Sequence, residues 1–217
     1  LKKGGVSMKK YEIALEIAGV TAMWTRPDTG DCPVSYPIPT YSAAKGIFES
    51  IIRFETVDIV PTRVEVCAPV VYHNYVTNYG GPLRKSAIMP YGSYQLLATV
   101  LINVCYRLYA EIRPSEHNRY LSEKALQQKN KGFNDRHACQ EIFNRRLKQG
   151  QCHDIPFLGW REFIPEYFGH FRDTTKVEES VNLTLPSFLH SIFEPSGNRN
   201  PKYKQDKKIE NGGLVYA

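Results

Sequence analysis

No C-x-x-C pair occurs among the five cysteines, Cys32, Cys67, Cys105, Cys139 and Cys152, which removes the usual spacing for zinc sites and for dithiol redox chemistry. Their odd number and scatter predict free thiols in a reduced, cytoplasmic compartment. No apolar run has the length of a membrane-crossing helix, so no membrane partner is expected. A Walker loop, a G-x-S-x-G elbow and a G-x-G-x-x-G turn are all missing, and with them the signals for nucleotide hydrolysis, esterase chemistry and dinucleotide binding. Asp28 with Asp31, and the triplet Cys152, His153 and Asp154, lack further ligands at suitable spacing. No metal and no cofactor is therefore expected.

What is present is positive charge and tyrosine. The 217 residues carry a formal net charge of +6 and a pI near 9.0, a balance that suits a polyanionic partner. Fourteen tyrosines, several close to Arg or Lys, are the material of stacking platforms for unpaired bases. The length fits a single domain with a small appendage. Met8 opens the first patterned segment, so residues 1–7 are expected to be a tag or leader. Residues 8–165 are expected to form the main domain, and 166–217 a small C-terminal β-rich extension ending in a mobile basic tail.

Tyr11, Ile13, Leu15 and Ile17 alternate with polar or small residues and predict a half-buried strand. After a proline-rich stretch, Thr40 or Ser42 is placed to cap a helix in which Ala44, Ile47, Phe48 and Ile51 form the apolar stripe. Val64, Val66, Ala68 and Val70 predict a second strand. Residues 72–94 read as a projecting hairpin turned at Gly80 and Gly81, with Arg84 and Lys85 near its tip. From Ala98 to Arg113 the alternation predicts a long, bent strand, with Val100, Val104, Tyr106, Leu108 and Ile112 on one face and Arg107, Tyr109 and Arg113 on the other. Residues 115–133 read as a loop. Asn134 or Asp135 caps a second helix, striped by Cys139, Ile142, Phe143 and Leu147 and stopped at Gly150.

Residues 155–163 are read as the last core strand. A strand around Val181 to Leu185 and a helical turn after Pro186 are expected in the extension. The order strand, helix, strand, strand, helix, strand is a ferredoxin-like α+β arrangement, an antiparallel sheet with two helices on one face and the other face free for a ligand.

Cleavage of RNA without metal needs a base for the ribose 2′-OH, a cation for the phosphorane and an acid for the leaving oxygen. His137, in the first turn of the second helix beside Arg136, offers a base and a cation together. Tyr41 is a further candidate, provided the fold brings it near His137. Arg26, Lys45, Arg84, Lys85, Arg107, Tyr109, Arg113 and Arg161 are candidate RNA contacts.

The run from Val34 to Ile51 (VSYPIPTYSAAKGIFESI) resembles the segment leading into and through the first helix of the CRISPR-associated Cas-five family, type I-C (Dvulg) subtype. Residues 24–27 (WTRP) and 155–162 (IPFLGWRE) resemble the same family in the same order. The likeness spans Lys9 to Glu162. It implies a repeat-associated RNA-binding (RAMP) fold with a projecting hairpin. It also implies a metal-independent endoribonuclease that cuts precursor CRISPR RNA in the repeat and stays on the 5′ handle among the other subunits of an interference complex. The family's cleavage histidine falls on His137, its lysine on Arg136, and its tyrosine on Ile52. Isoleucine cannot exchange a proton, so the resemblance also admits a catalytically inactive scaffold that caps the 5′ end of the guide RNA.

Overall fold

The structure, a computed structural model, describes residues 10–79, 94–115, 134–193 and 198–216. The first alternating run forms β1 (Glu12–Ala22), with Ile13, Leu15 and Ile17 almost fully buried. After a short 3-10 turn at Pro27–Thr29 the chain enters α1 (Tyr41–Ile51). Of the two candidate caps Thr40 is the one used, because its Oγ1 accepts the Ala43 N–H at 3.2 Å and so satisfies a donor that the first turn leaves open. Ala44, Ile47, Phe48 and Ile51 are the buried stripe, each large member contributing roughly 1.5–3 kcal/mol on leaving water.

β2 (Val57–Val66) begins earlier than the alternation suggests, and Ala68 and Val70 fall in the connection to β3 (Val71–Tyr79). Pro69 in that connection has no N–H to offer a ladder. Pro61 is tolerated inside β2 because the pairing register shifts between Pro61 and Arg63, the kind of irregularity where proline fits in a strand. β4 (Tyr94–Pro114) then pairs with three partners. It meets β3 over residues 94–102 and β2 over 106–114, while β1 runs along its other edge. The expected departure from straight strand geometry falls at Asn103, where φ is +53°, between the stretches paired with β3 and with β2. Gly80, Gly81, Arg84 and Lys85, like residues 1–7 and the stretch 116–133 that was expected to be a loop, lie outside the described residues.

α2 (Asp135–Gln149) is capped by Asn134 and stopped by Gly150, which takes a left-handed conformation at φ 64°, the usual role of glycine after a helix. Cys139, Phe143 and Leu147 are buried. Phe143 meets Phe48 of α1 with ring centroids 5.8 Å apart, and Arg146 donates to the Ile51 carbonyl at 2.6 Å. The two helices therefore close one side of the sheet together.

Residues 155–163, expected to be the last core strand, form no strand. Gly159 sits at φ +93°, Leu158 N–H bonds to the Phe163 carbonyl and Phe163 N–H to the Trp160 carbonyl. The segment is a compact turn that plugs Leu158 and Phe163 into the core and leaves Ile155 and Phe157 exposed. The strand in that place is β5 (Tyr167–Gly169), antiparallel to β1. β6 (Leu183–Phe193) and β7 (Arg199–Ile209) form a separate two-stranded ribbon, and β8 (Gly213–Val215) joins the edge of β2. The helical turn expected after Pro186 is strand instead, and the lysine-rich stretch expected to be mobile is β7. The main sheet thus runs β5-β1-β4-β2-β8, with β3 on β4, an α+β fold of antiparallel strands with, among the described residues, the two helices α1 and α2.

Buried tyrosines tie these parts together, since a phenol that leaves water needs a partner for its hydroxyl. Tyr106 donates to the Pro37 carbonyl at 2.9 Å and Tyr216 to the Pro39 carbonyl at 2.8 Å. Tyr36 donates to the Ser187 carbonyl at 3.0 Å. The proline-rich stretch, whose prolines lack N–H groups but keep their carbonyls, is thereby fixed to the sheet and to the ribbon.

Candidate functional site

The first turn of α2 presents a cation and an imidazole on one rigid frame. Asn134 holds that turn twice, accepting the His137 N–H on Oδ1 at 3.2 Å and donating from Nδ2 to the Tyr11 hydroxyl at 2.7 Å. The Arg136 guanidinium lies 5.0 Å above the Tyr11 ring, and the His137 ring is 6.2 Å from the same ring. Gln140, one turn further on, donates to the Glu12 carbonyl at 2.7 Å. The helix start is thus pinned to the start of β1, and His137 remains exposed.

The tyrosine beside His137 is Tyr11, buried at 6% exposure. Tyr41, the candidate from sequence, is not brought there. Its ring stacks on His190 at 4.4 Å and 14° and meets Tyr216 edge-on, and burial pushes its phenol above the usual range. His190 is held below the usual imidazole range, by burial first and by Lys204 next. Ile52, on which the resemblance was expected to place a tyrosine, is 1% exposed. It lines a cavity of about 500 Å³ together with Glu49, Arg53, Asp58, Ser115 and His153.

The sheet face opposite the helices is not free, as the sequence had suggested. Glu16 of β1 is fully buried there and collects the Arg172 Nε at 2.6 Å, the Arg172 N–H at 3.1 Å, the Thr175 hydroxyl at 2.6 Å and the Arg107 guanidinium at 3.5 Å. Burial alone would raise the Glu16 carboxyl, but the hydrogen bonds from Thr175 and Arg172 outweigh it and hold the group below the usual carboxylate range. Arg107 also donates to the Thr175 carbonyl at 2.8 Å and the Arg172 carbonyl at 3.3 Å, and lies 4.7 Å over the Phe171 ring. Tyr109 donates to Glu65 at 2.6 Å, with Phe171 against its edge. Burial, then the Glu65 carboxylate, raise its phenol above the ordinary range. The segment after β5 therefore covers this face, and an Nη of Arg107 and the Tyr109 hydroxyl donate within the chain, while the buried Arg107 Nε faces Glu16 at 3.5 Å without a hydrogen bond.

The remaining candidates lie apart. Arg113 is exposed and paired with Glu111 at 2.8 Å. Lys45 stands between Glu49 at 3.7 Å and Asp58 at 3.8 Å. Arg26 is held by Asp28 through two bonds of 3.1 and 2.7 Å. Arg161 is exposed on the rim of a cavity of about 830 Å³ lined by Arg53, His153, Asp154, Phe157 and Ile164. Among the described residues no three His, Cys, Asp or Glu side chains converge to hold a metal ion, and no helix is long and apolar enough to cross a membrane. Sequence reasoning missed Tyr11 as the companion of His137, and the Glu16 cluster. Glu16 reads there as the solvent-facing member of an alternating strand.

An antiparallel α+β chain with an arginine and a histidine pinned at a helix start defines a class, and comparison with known proteins narrows it. The family model of Cas5d, described as "CRISPR-associated protein (Cas_Cas5)", matches residues 12–187. The chain belongs to this CRISPR-associated Cas5 family. A relative from Thermus thermophilus, "CRISPR pre-crRNA endoribonuclease Cas5d", is 32% identical over 94% of this chain and 83% of its own length. One of the same description from Mannheimia succiniciproducens is 29% identical over 90% and 91%. In fold, the chain is similar to a solved structure described as "Crystal Structure of CRISPR-associated Protein", with TM-score 0.71 and 18% identity over 97% and 94% of the two chains. It is also similar to a chain of a "CRISPR RNA-guided surveillance complex", with TM-score 0.52 and 14% identity over 95% and 91%.

Proposed function

We propose that this chain is a pre-crRNA endoribonuclease that cuts the repeat by attack of the ribose 2′-OH, without metal, and then stays on the 5′ handle as a subunit of a type I-C interference complex. The observation that carries the reading is the pair Arg136 and His137, held by Asn134 against Tyr11 with the imidazole left exposed. In this reading His137 takes the 2′-OH proton, and Arg136 meets the phosphorane charge with its fork of donors. Expulsion of the 5′-oxygen, which takes its proton from water, leaves a 2′,3′-cyclic phosphate and a 5′-hydroxyl. The relatives' names support the activity, and the sheet order β5-β1-β4-β2 with two helices on one side supports a ferredoxin-like, RAMP core. Arg26, Lys45, Arg113 and Arg161, with Arg84 and Lys85, remain proposed RNA contacts.

The test is cleavage of the repeat RNA in excess EDTA. Wild-type protein should release the two named ends, and a 2′-deoxy substitution at the scissile nucleotide should stop the cut. His137→Ala should slow it about 10²- to 10⁴-fold with unchanged RNA affinity. One observation favours a second reading: the buried Ile52 supplies no hydroxyl where the family has its tyrosine. A non-catalytic subunit that binds and caps the guide's 5′ end would show saturated, salt-sensitive binding and intact RNA in the same assay.

A further inference from the structure

A cavity of about 290 Å³ lies where the turn after β1, the root of β3 and the start of β6 meet. Its walls are Arg26, Tyr36 and Pro37 from the turn, Tyr72 from β3, and Leu185 and Pro186 from β6. Three features restrict what can fill it. First, the volume sits at the lower end of the range for ligand sites, room for one ring system rather than a chain of groups. Second, the surface is mostly flat or apolar groups, with Asp28, Ser35, Thr184 and Ser187 as its small polar members. Tyr72 is 45% exposed, and the Arg26 guanidinium lies 5.8 Å over the Tyr36 ring. Third, the arginine is already matched in charge. Asp28 binds both its Nε and an Nη, which neutralises it as a phosphate clamp while fixing the plane of the guanidinium. A flat, oriented, charge-compensated guanidinium beside tyrosine rings is a stacking surface for a neutral heterocycle.

We propose that this cavity receives one unpaired base of the bound RNA, stacked on Tyr72 and the Arg26 plane, and so fixes the register of the strand on the protein. The inference rests on the RNA-binding reading above and adds a base-binding site that the cleavage chemistry does not require. Tyr36 is itself immobile as a wall, because its hydroxyl donates to the Ser187 carbonyl and accepts the Leu189 N–H at 3.2 Å. The ribbon of β6 and β7 is thus part of the pocket's construction, and Tyr72 is its exposed, adjustable side.

The experiment places 2-aminopurine at each unpaired position of the repeat RNA in turn and reads its fluorescence on adding the full-length protein. One position should be strongly quenched by wild-type protein and by Tyr72→Phe, and released in Tyr72→Ala. Tyr72→Ala should weaken binding of the unmodified RNA about five- to hundredfold. An abasic nucleotide at the sensitive position should weaken wild-type binding comparably and leave Tyr72→Ala unchanged. RNA that binds tightly with no position responding to Tyr72→Ala, or losses that multiply in the abasic combination, would overturn the base pocket and leave the RNA-binding reading standing. No binding of any repeat RNA at low salt would overturn both.

Discussion

Replacing Arg107 by Gln should unfold the protein sooner while leaving its hold on RNA unchanged. The guanidinium serves the buried Glu16 carboxylate at 3.5 Å and the carbonyls of Arg172 and Thr175, and it packs on Phe171. Breaking a buried charge pair by removing one partner costs about 3–5 kcal/mol. Arg172 and Thr175 still bind Glu16 in the variant, so the lower end, about 3 kcal/mol, is expected. For a chain of this size that lowers Tm by about 6–12 °C. Urea unfolding should show the midpoint fall with the slope preserved. RNA affinity measured from low to moderate salt should keep both its value and its slope, because no phosphate contact is lost. A variant of unchanged stability whose salt slope drops by about 0.7, the share of one single-strand phosphate, would refute the closed-face argument and return Arg107 to the RNA surface.

Further outcomes follow from the same geometry. Since the folded Glu16 carboxyl lies below the ordinary value of 4.5, its contribution to stability is present above that value and is lost as pH falls through the folded one. Wild-type protein should therefore lose stability more steeply than Glu16→Gln in acid, with the two converging at the lowest pH, as read by urea midpoints across the acid range. Gly159→Ala places a Cβ 1.8 Å from the Met23 carbonyl oxygen at a φ of +93°, which should cost at least about 3 kcal/mol and appear as a large fall in Tm or in soluble yield.

The elements that sequence reading recovered are those whose local signals agree with their tertiary role. α1 carries both a cap at Thr40 and a stripe at Ala44, Ile47, Phe48 and Ile51, and α2 has Asn134, the Cys139–Phe143–Leu147 stripe and Gly150. Each signal is set by bonds within a few residues. β5 is three residues long and carries no period to detect. β7 consists largely of charged and polar residues and is held by distant groups, with Lys204 and Lys207 donating to the carbonyls of Tyr216 and Val215. Its composition alone argued for mobility. The run at 155–163 shows the converse error. Its apolar residues are there to plug a turn, and the positive φ of Gly159 breaks the extended backbone expected of a strand.

The same distinction governs the site. That Arg136 and His137 lie together was legible because adjacency in sequence is adjacency in space within one helical turn. Tyr11, 126 positions from His137 in the chain, joins them because β1 runs beside β4 and α2 begins near that shared end of the sheet. A companion made by topology leaves no local mark. It follows that substituting a hydroxyl for the absent one at position 52 is not the only way this fold can put a phenol near the imidazole. Yet the Tyr11 hydroxyl is already bonded to Asn134, and the ring lies under Arg136. The geometry therefore suits Tyr11 to holding the Arg136–His137 turn in place more than to exchanging a proton, so in the proposed cleavage the proton transfer rests on His137.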